Sequence, residues 1–160
     1  MRYHVAMKQM TSHSIAETEK IAADWLKEVS EGRAGADEAL VVGLSGHLGA
    51  GKTAFVKAVA KALGIAEDVT SPTFVIMKLY DTAAGRFRRL VHIDAYRLER
   101  REELEALGFE DLVADPGNLI MVEWPENVGL DTIVNVVGLS FLDRKEGQET
   151  YLSVVFSQVK

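Results

Sequence analysis

The chain has 160 residues, of which 48% are apolar and 26% charged, and its 18 basic and 24 acidic side chains give a net charge of −6. That length suits one domain, residues 1–160, and the composition excludes disordered, collagen-like and disulfide-stapled chains. Because cysteine is absent, thiolate metal sites and cysteine nucleophiles are excluded too, and the negative charge disfavours a chain that grips nucleic acid unaided.

The hydropathy pattern predicts no membrane segment. The first ten residues hold no apolar core behind basic residues, and no run of 18 apolar residues occurs. A secretory signal and a transmembrane helix are therefore not predicted. We expect a cytoplasmic protein with no membrane partner.

An amphipathic helix is predicted near the amino terminus. Ser14 and Glu17 have the spacing of a capping box, and apolar residues recur at helical spacing from Ile15 to Val29, before Gly32. Residues 31–37, rich in glycine and alanine, are predicted to form a loop.

A strand, a glycine-rich loop and a second helix are predicted next. Residues 39–44 form an apolar, valine-rich run, which is typical of a strand buried on both faces of a sheet. From Thr53 onwards apolar residues fall on one helical face, and Gly64 stands where a C-terminal cap belongs.

The remaining patterns predict both strands and a helix. Further strands are predicted at residues 74–80, 88–93 and 119–122. A charged helix is predicted at residues 98–107, where Gly108 stops it. Two β-rich runs, at residues 132–142 and 150–157, predict an antiparallel hairpin. Residues 143–148 between them are predicted to form its polar turn.

The glycine-rich loop is a phosphate-binding pattern. It reads G-H-L-G-A-G-K-T and matches G-x-x-x-x-G-K-[ST] at every fixed position. Glycines let backbone N–H groups turn toward a phosphate chain, and the positive end of the next helix dipole faces the same place. Lys52 would supply a cation for the phosphates, and Thr53 a hydroxyl for Mg²⁺. The residues predicted to bind ATP here are Gly46, His47, Leu48, Gly49, Ala50, Gly51, Lys52, Thr53 and Ala54.

The position of this loop argues against a chance glycine turn, because a strand is predicted before it and a helix after it. Together the elements predict an α/β fold. We expect a P-loop NTPase-like sandwich with a parallel central sheet that is extended by antiparallel strands and has helices on both faces.

Two acidic residues end apolar runs that are predicted to be strands. Asp94 follows L-V-H-I, and Glu123 follows L-I-M-V. Parallel sheets place such groups just past the carboxyl ends of strands, and Mg²⁺ beside a triphosphate needs a carboxylate. One acid would hold Mg²⁺ while the other orients the attacking water as a general base, and the sequence leaves open which does which. The alternative for either acid is a helix cap or an ion pair with an arginine such as Arg97.

The remaining polar residues are weaker indicators of function. The segment T-S-P-T at residues 70–73 is either a switch-like loop that folds over the γ-phosphate or an ordinary turn fixed by Pro72. The four histidines are scattered, so surface or packed histidines are expected rather than a metal cluster. The arginines between Arg86 and Arg101 are expected to form a solvated surface.

Four motifs occur in a fixed order, and together they resemble the TsaE family, also called YjeE. They are G-H-L-G-A-G-K-T at 46–53, T-S-P-T-F at 70–74, H-I-D-A-Y-R-L at 92–98 and V-E-W-P at 122–125. The family consists of small bacterial P-loop ATPases of tRNA modification, and the resemblance covers about residues 40–125. It implies a role in making threonylcarbamoyladenosine next to the anticodon of ANN-decoding tRNAs, together with TsaB and TsaD. TsaD would transfer the carbamoyl group, and tRNA would be met only through the complex.

The resemblance also implies roles for individual residues. Lys52 and Thr53 would bind phosphate and Mg²⁺, and Thr73 would lie in the switch-like loop at the nucleotide. Asp94 and Glu123 would serve Mg²⁺ and water, and Trp124 would be a structural or nucleotide-proximal aromatic residue. Many members carry an acid where this chain has His47, so a contact from that position to Mg²⁺ or a partner is in doubt.

Two other functions are compatible with the same loop. A small-molecule kinase uses a Walker A loop and strand-end acids in the same way, although this chain leaves little room for an acceptor pocket and a lid. A GTP-dependent switch is the other. Because no N-K-x-D or T-K-x-D run is present to read guanine, adenine is the preferred base.

Overall fold

The computed structural model describes residues 5–46, 51–72, 74–83, 85–130, 136–146 and 149–159. The strands are β1 Val5–Ser12, β2 Leu40–Ser45, β3 Met77–Asp81, β4 Arg89–Asp94, β5 Asn118–Glu123, β6 Val136–Glu146 and β7 Glu149–Val159. The helices are α1 Ile15–Glu31, α2 Lys52–Ala62, α3 Arg101–Glu105 and α4 Phe109–Val113, and a 3₁₀ turn spans Pro125–Val128. Within these ranges no helix is long and apolar enough to cross a membrane.

The strands form one sheet in the order β1-β7-β6-β2-β5-β4-β3. Its centre is parallel, because β2 pairs in parallel with β6 and β5, and β5 with β4. The outer pairs, β1 with β7, β7 with β6 and β3 with β4, are antiparallel. The expected parallel sheet with antiparallel extensions is therefore confirmed. The carboxyl ends of β2, β4 and β5 meet at one side of the sheet, which we call the carboxyl edge.

Helices cover both faces of the parallel strands, as the sequence predicts. Leu90 of β4 and Met121 of β5 point to one face, where α1 and α2 bury them. Val91 and Val122, one position along each strand, belong to a second core with α3 and α4. Strand periodicity thus divides each buried strand between two cores, and we call the first side the α2 face.

The two long helices begin and end where their capping residues predict. The Ser14 hydroxyl accepts a hydrogen bond from the Glu17 N–H at 3.1 Å. In a capping box the Glu17 carboxylate would accept the N–H of Ser14. Here it accepts the N–H of His13 instead, at 2.7 Å. At the end of α2, Gly64 has a left-handed φ of 71°, and the N–H of Ile65 reaches the carbonyl of Ala60 at 3.1 Å. That pair of features defines a Schellman ending.

Three expectations about elements were wrong or incomplete, and one strand was missed. Residues 74–76 form a turn rather than the start of a strand, because the N–H groups of Val75 and Ile76 bond back to the Pro72 carbonyl. The charged helix is shorter than predicted, and a second short helix follows Gly108, whose left-handed φ of 85° separates the two. The hairpin is antiparallel as predicted, but its strands extend to Glu146 and from Glu149, so most of the predicted turn is strand. Strand β1 was not predicted.

Phe55 offers a test of the core on the α2 face. It is fully buried in the first turns of α2, and its ring meets that of Trp25 edge-on at 5.8 Å between centroids. We expect Phe55→Ala to lower the free energy of unfolding by about 3–5 kcal/mol, because a large buried ring leaves a cavity. Denaturant unfolding measures the loss. Phe74→Ala is the matched control, since Phe74 is 86% exposed, and it should change stability by less than about 0.5 kcal/mol. Equal losses in both variants would contradict this packing.

Candidate functional site

The site begins where β2 ends and α2 starts. Gly51 caps α2 with a left-handed φ of 102°, a conformation that favours glycine. Lys52 and Thr53 are the first residues of α2, and Ala54 is exposed on its surface. Of the other residues predicted to bind the nucleotide, Gly46 directly follows β2. His47, Leu48, Gly49, Ala50 and Thr73 lie outside the described residues.

Lys52 is buried at the carboxyl edge, with 5% of its surface exposed. Its ammonium donates a hydrogen bond to the Gly46 carbonyl and lies 4.2 Å from the centre of the Trp124 ring. Burial lowers the pKa of Lys52 below its ordinary value, and the negative charges of Glu123, Glu126 and Asp94 oppose that shift. The edge therefore holds a largely desolvated cation surrounded by carboxylates.

Thr53 and Glu123 are in direct contact although they are 70 residues apart. The Thr53 hydroxyl lies 3.1 Å from Oε1 and 3.2 Å from Oε2 of Glu123, to which it donates. Oε2 of the same carboxylate also lies 2.6 Å from Nε2 of His92, within hydrogen-bonding distance. These contacts lie on the α2 face of the sheet. They join the first turn of α2 to the acid at the end of β5.

Asp94 ends the neighbouring strand beside Glu123. The two residues are register partners in the parallel pair β4 and β5, and Asp94 is 7% exposed. One carboxylate oxygen of Asp94 accepts the N–H of Tyr96 at 3.0 Å. Because residues two apart on a strand share a face, His92 and Asp94 both lie on the α2 face, next to Glu123.

The loops after β4 and β5 are joined by an aromatic contact and by hydrogen bonds. Trp124 has a left-handed φ of 59° directly before Pro125, which places its ring between Lys52 and Tyr96, 5.3 Å from the latter. The Asn127 amide donates to the carbonyls of Ala95 at 3.0 Å and Tyr96 at 3.2 Å. A bulky residue in this conformation is strained, and such strain is common at functional sites.

The segment that precedes β3 reaches the same edge. The Ile76 carbonyl accepts the N–H of Asp94 at 2.8 Å, and Ile76 has a left-handed φ of 69°. The Lys78 ammonium donates a hydrogen bond to the Thr70 hydroxyl at 2.7 Å. Ile76 therefore ties this segment to Asp94, and the role of residues 70–73 as a switch stays a prediction.

The arginines divide between two ends of β4. Arg86, Arg88 and Arg89 stand at its amino end, away from Asp94, and Arg88 pairs with Asp115 at 2.8 Å. At the carboxyl end, the Arg97 guanidinium lies over the Phe74 ring at 5.1 Å. Where their contacts are described, these side chains engage neighbours on the protein surface.

The donor set fits a hard cation. Thr53, Glu123 and Asp94 offer a hydroxyl and two carboxylates, and oxygen ligands of this kind suit Mg²⁺. No group of three or more histidine, cysteine, aspartate or glutamate side chains that could hold a metal is found among the residues described. Mg²⁺ at phosphate sites is held by one or two carboxylates together with the phosphates, so this smaller set is the expected one.

Sequence reasoning missed one residue of the site. His92 was expected to be a surface or packed histidine, and it is packed, but its ring is bonded to the candidate metal acid Glu123. The available signal was strand parity. His92 stands two residues before Asp94 and therefore shares its face.

The fold and this edge define the chain as a mixed α/β protein that has a buried lysine and a threonine–glutamate contact at the carboxyl edge of a parallel sheet. Comparison with known proteins gives the family. Residues 12–150 match the family model described as "Threonylcarbamoyl adenosine biosynthesis protein TsaE". The chain belongs to the TsaE family.

Individual relatives agree with this result. The proteins named "tRNA threonylcarbamoyladenosine biosynthesis protein TsaE" of Treponema pallidum and Bacillus subtilis are each 44% identical to the chain, over 92 and 84 residues. These matches cover 58% and 52% of this chain and 64% and 49% of the relatives, so they span less than two thirds of either relative. The crystal structure of YdiB from Bacillus subtilis superimposes with a TM-score of 0.64 at 27% identity, covering 99% of this chain and 90% of that one.

Proposed function

We propose that the chain is a Mg²⁺-dependent ATPase of the cytoplasm that acts with TsaB and TsaD in making threonylcarbamoyladenosine in tRNA. The observation that carries this proposal is the contact of Thr53 with Glu123 beside the buried Lys52. Family membership supplies the process, because the family and its members are named for threonylcarbamoyladenosine biosynthesis.

In this proposal the loop at residues 46–53 and the start of α2 receive the phosphates of ATP. The pattern of that loop and the left-handed Gly51 support a P-loop. Lys52 would leave the Gly46 carbonyl and donate to phosphate oxygens instead. A phosphate oxygen carries more negative charge than a carbonyl, so the exchange favours the ligand.

The metal would be held by Thr53 and Glu123, with Asp94 one strand away. Glu123 is favoured as the metal acid because its carboxylate already contacts the Thr53 hydroxyl. When bound, Mg²⁺ neutralises charge on the phosphates and helps to orient them. Asp94 would accept a proton from a water molecule at the γ-phosphate, because its carboxylate lies beside Glu123 at the carboxyl edge.

Hydrolysis by the chain alone should be slow. Phosphate-loop hydrolases gain about 10³ to 10⁵ in rate when an arginine or equivalent donor stabilises charge on the γ-phosphate. Arg88 is paired with Asp115 at the far end of β4, and Arg97 stacks on Phe74. A partner that completes the site or orders residues 70–73 over it would supply such stabilisation.

Product analysis separates the ATPase from the alternative small-molecule kinase. The purified chain with Mg²⁺ and ATP in water should release inorganic phosphate slowly, at a rate that rises when TsaB and TsaD are added. ATP that stays intact until a metabolite acceptor is supplied would instead support a kinase. Competition between ATP and GTP for the site tests the third reading, a guanine-dependent switch.

The partnership predicts affinities that depend on the nucleotide. We expect the ATP-bound and ADP-bound chain to differ at least about fivefold in affinity for the TsaB–TsaD assembly, since typical coupling free energies begin near 1 kcal/mol. Binding is measured with ATP, with ADP and without nucleotide. Equal affinity in all three states, with ATP turnover unaffected by the partners, would favour an ATPase that works alone.

A further inference from the structure

The inference concerns His92, whose ring is wholly buried in β4. Two of its neighbours on the same face of the sheet are apolar, Leu90 two residues earlier and its β5 register partner Met121. The other two are charged, Asp94 two residues later and its β3 register partner Lys78. An apolar side chain at this position would continue that core. A buried polar ring is costly unless it is hydrogen-bonded, and the bond that this ring makes is to Oε2 of Glu123 at 2.6 Å.

The chemistry of the two groups decides which atom carries the proton. A carboxylate only accepts, so Nε2 of His92 must be the donor. Nδ1 is buried and finds no hydrogen-bond partner in the described part of the protein. A buried acceptor without a partner is tolerated better than a buried N–H donor without one. The contact therefore requires hydrogen on Nε2.

The effect of this bond falls on Glu123. That carboxylate is 4% exposed and has several rotatable bonds, so it needs donors to hold it in one orientation. Nε2 of His92 anchors Oε2, which leaves Oε1 and the remaining lone pairs directed at the Thr53 hydroxyl, 3.1 Å away. The ring is wholly buried, whereas Thr53 is partly exposed at the start of α2.

We propose that His92 is the positioning residue of the site, which fixes the Glu123 carboxylate against Thr53 and so sets the affinity for the divalent cation. This step rests on the proposed function, because it assigns Glu123 to the metal. Residues that hold a metal-binding side chain by a hydrogen bond typically change metal affinity or activity by about 10- to 100-fold when they are replaced.

Two variants of similar length separate hydrogen bonding from packing. His92→Gln places an amide N–H₂ near the position of Nε2, whereas His92→Met fills the core without a donor. We expect His92→Met to raise the half-saturating Mg²⁺ concentration for ATP binding by about tenfold or more. ATP binding in EDTA should change less than the Mg²⁺ midpoint in both variants, and His92→Gln should recover most of the Mg²⁺ response. A residue that only packs would lower thermal stability without moving the Mg²⁺ midpoint.

A second measurement uses the protein without nucleotide or metal. Imidazole ¹⁵N spectra of the wild type, with the His92 signals identified by their loss in His92→Gln, should show hydrogen on Nε2. Hydrogen on Nδ1 alone, or an unchanged Mg²⁺ midpoint in His92→Met, would overturn the positioning role while leaving the proposed function intact. A wild type whose ATP binding does not respond to Mg²⁺ would overturn both.

Discussion

Lys52→Ala should abolish measurable ATP turnover while leaving the fold intact. The ammonium is buried and donates to the Gly46 carbonyl, so it is held at the carboxyl edge where the phosphates of ATP would lie. Removing a preorganised donor of this type costs about 2.7–4 kcal/mol in the transition state, or about 10²- to 10³-fold in kcat. Steady-state phosphate release and direct titration of ATP measure the loss of turnover and of affinity.

A second lysine on the same helix provides the control for this variant. Lys57 is exposed on α2, so Lys57→Ala removes one positive charge without touching the carboxyl edge. It should keep turnover within about twofold, because an exposed charge is largely screened by solvent. Unaltered hydrolysis by a folded Lys52→Ala protein would contradict the assignment of the phosphate site.

Removing the charge of Glu123 or of Asp94 while keeping the shape of the side chain should have different effects on Mg²⁺ binding and on turnover. Glu123→Gln should raise the half-saturating Mg²⁺ concentration about 100-fold. That is about 2.7 kcal/mol, less than the roughly 4 kcal/mol of two unit charges 4 Å apart near a protein surface. Asp94→Asn should spare Mg²⁺-dependent binding and lower kcat by about 10²- to 10⁴-fold, as expected for a general base.

This pair of variants tests the geometry as well as the chemistry. The assignment depends on the contact between Glu123 and Thr53, which Asp94 does not share. Reversed behaviour, with Asp94→Asn losing the Mg²⁺ response and Glu123→Gln keeping it, would exchange the two roles. Parental binding and turnover in both variants would mean that neither carboxylate serves the reaction.

The buried strands of the sheet could be predicted from sequence to within one residue. Residues 39–44, 88–93 and 119–122 were predicted, and the strands are Leu40–Ser45, Arg89–Asp94 and Asn118–Glu123. These strands are covered on both faces, so each appears in the sequence as a mostly apolar run, which His92 interrupts in β4. Their acids at the end of β4 and β5 followed directly from that pattern.

The two outermost strands of the sheet, β1 and β3, were predicted less well than the central ones. Phe74 and Val75 favour a strand by residue type, yet they are 86% and 58% exposed in a turn that the Pro72 carbonyl closes. Strand β1 escaped prediction because its pairing with β7 joins the two ends of the chain, and no local signal records such a contact.

The site shows the same division between local and distant information. Lys52 and Thr53 follow from a contiguous motif, and Glu123 from the end of a strand. The bond from His92 to Glu123 crosses from one strand to the next, so it depends on the register of β4 against β5. Sequence periodicity marks His92 as buried but does not name its partner.

The central claim is that this carboxyl edge binds ATP through Lys52 and a cation through Thr53 and Glu123. Calorimetric titration of ATP into the wild-type chain, with Mg²⁺ and then with EDTA, tests it most directly. We predict saturable one-to-one binding that tightens with Mg²⁺ in the wild type and is lost in Lys52→Ala. Absence of binding to the folded wild type, or equal binding to Lys52→Ala, would contradict the claim.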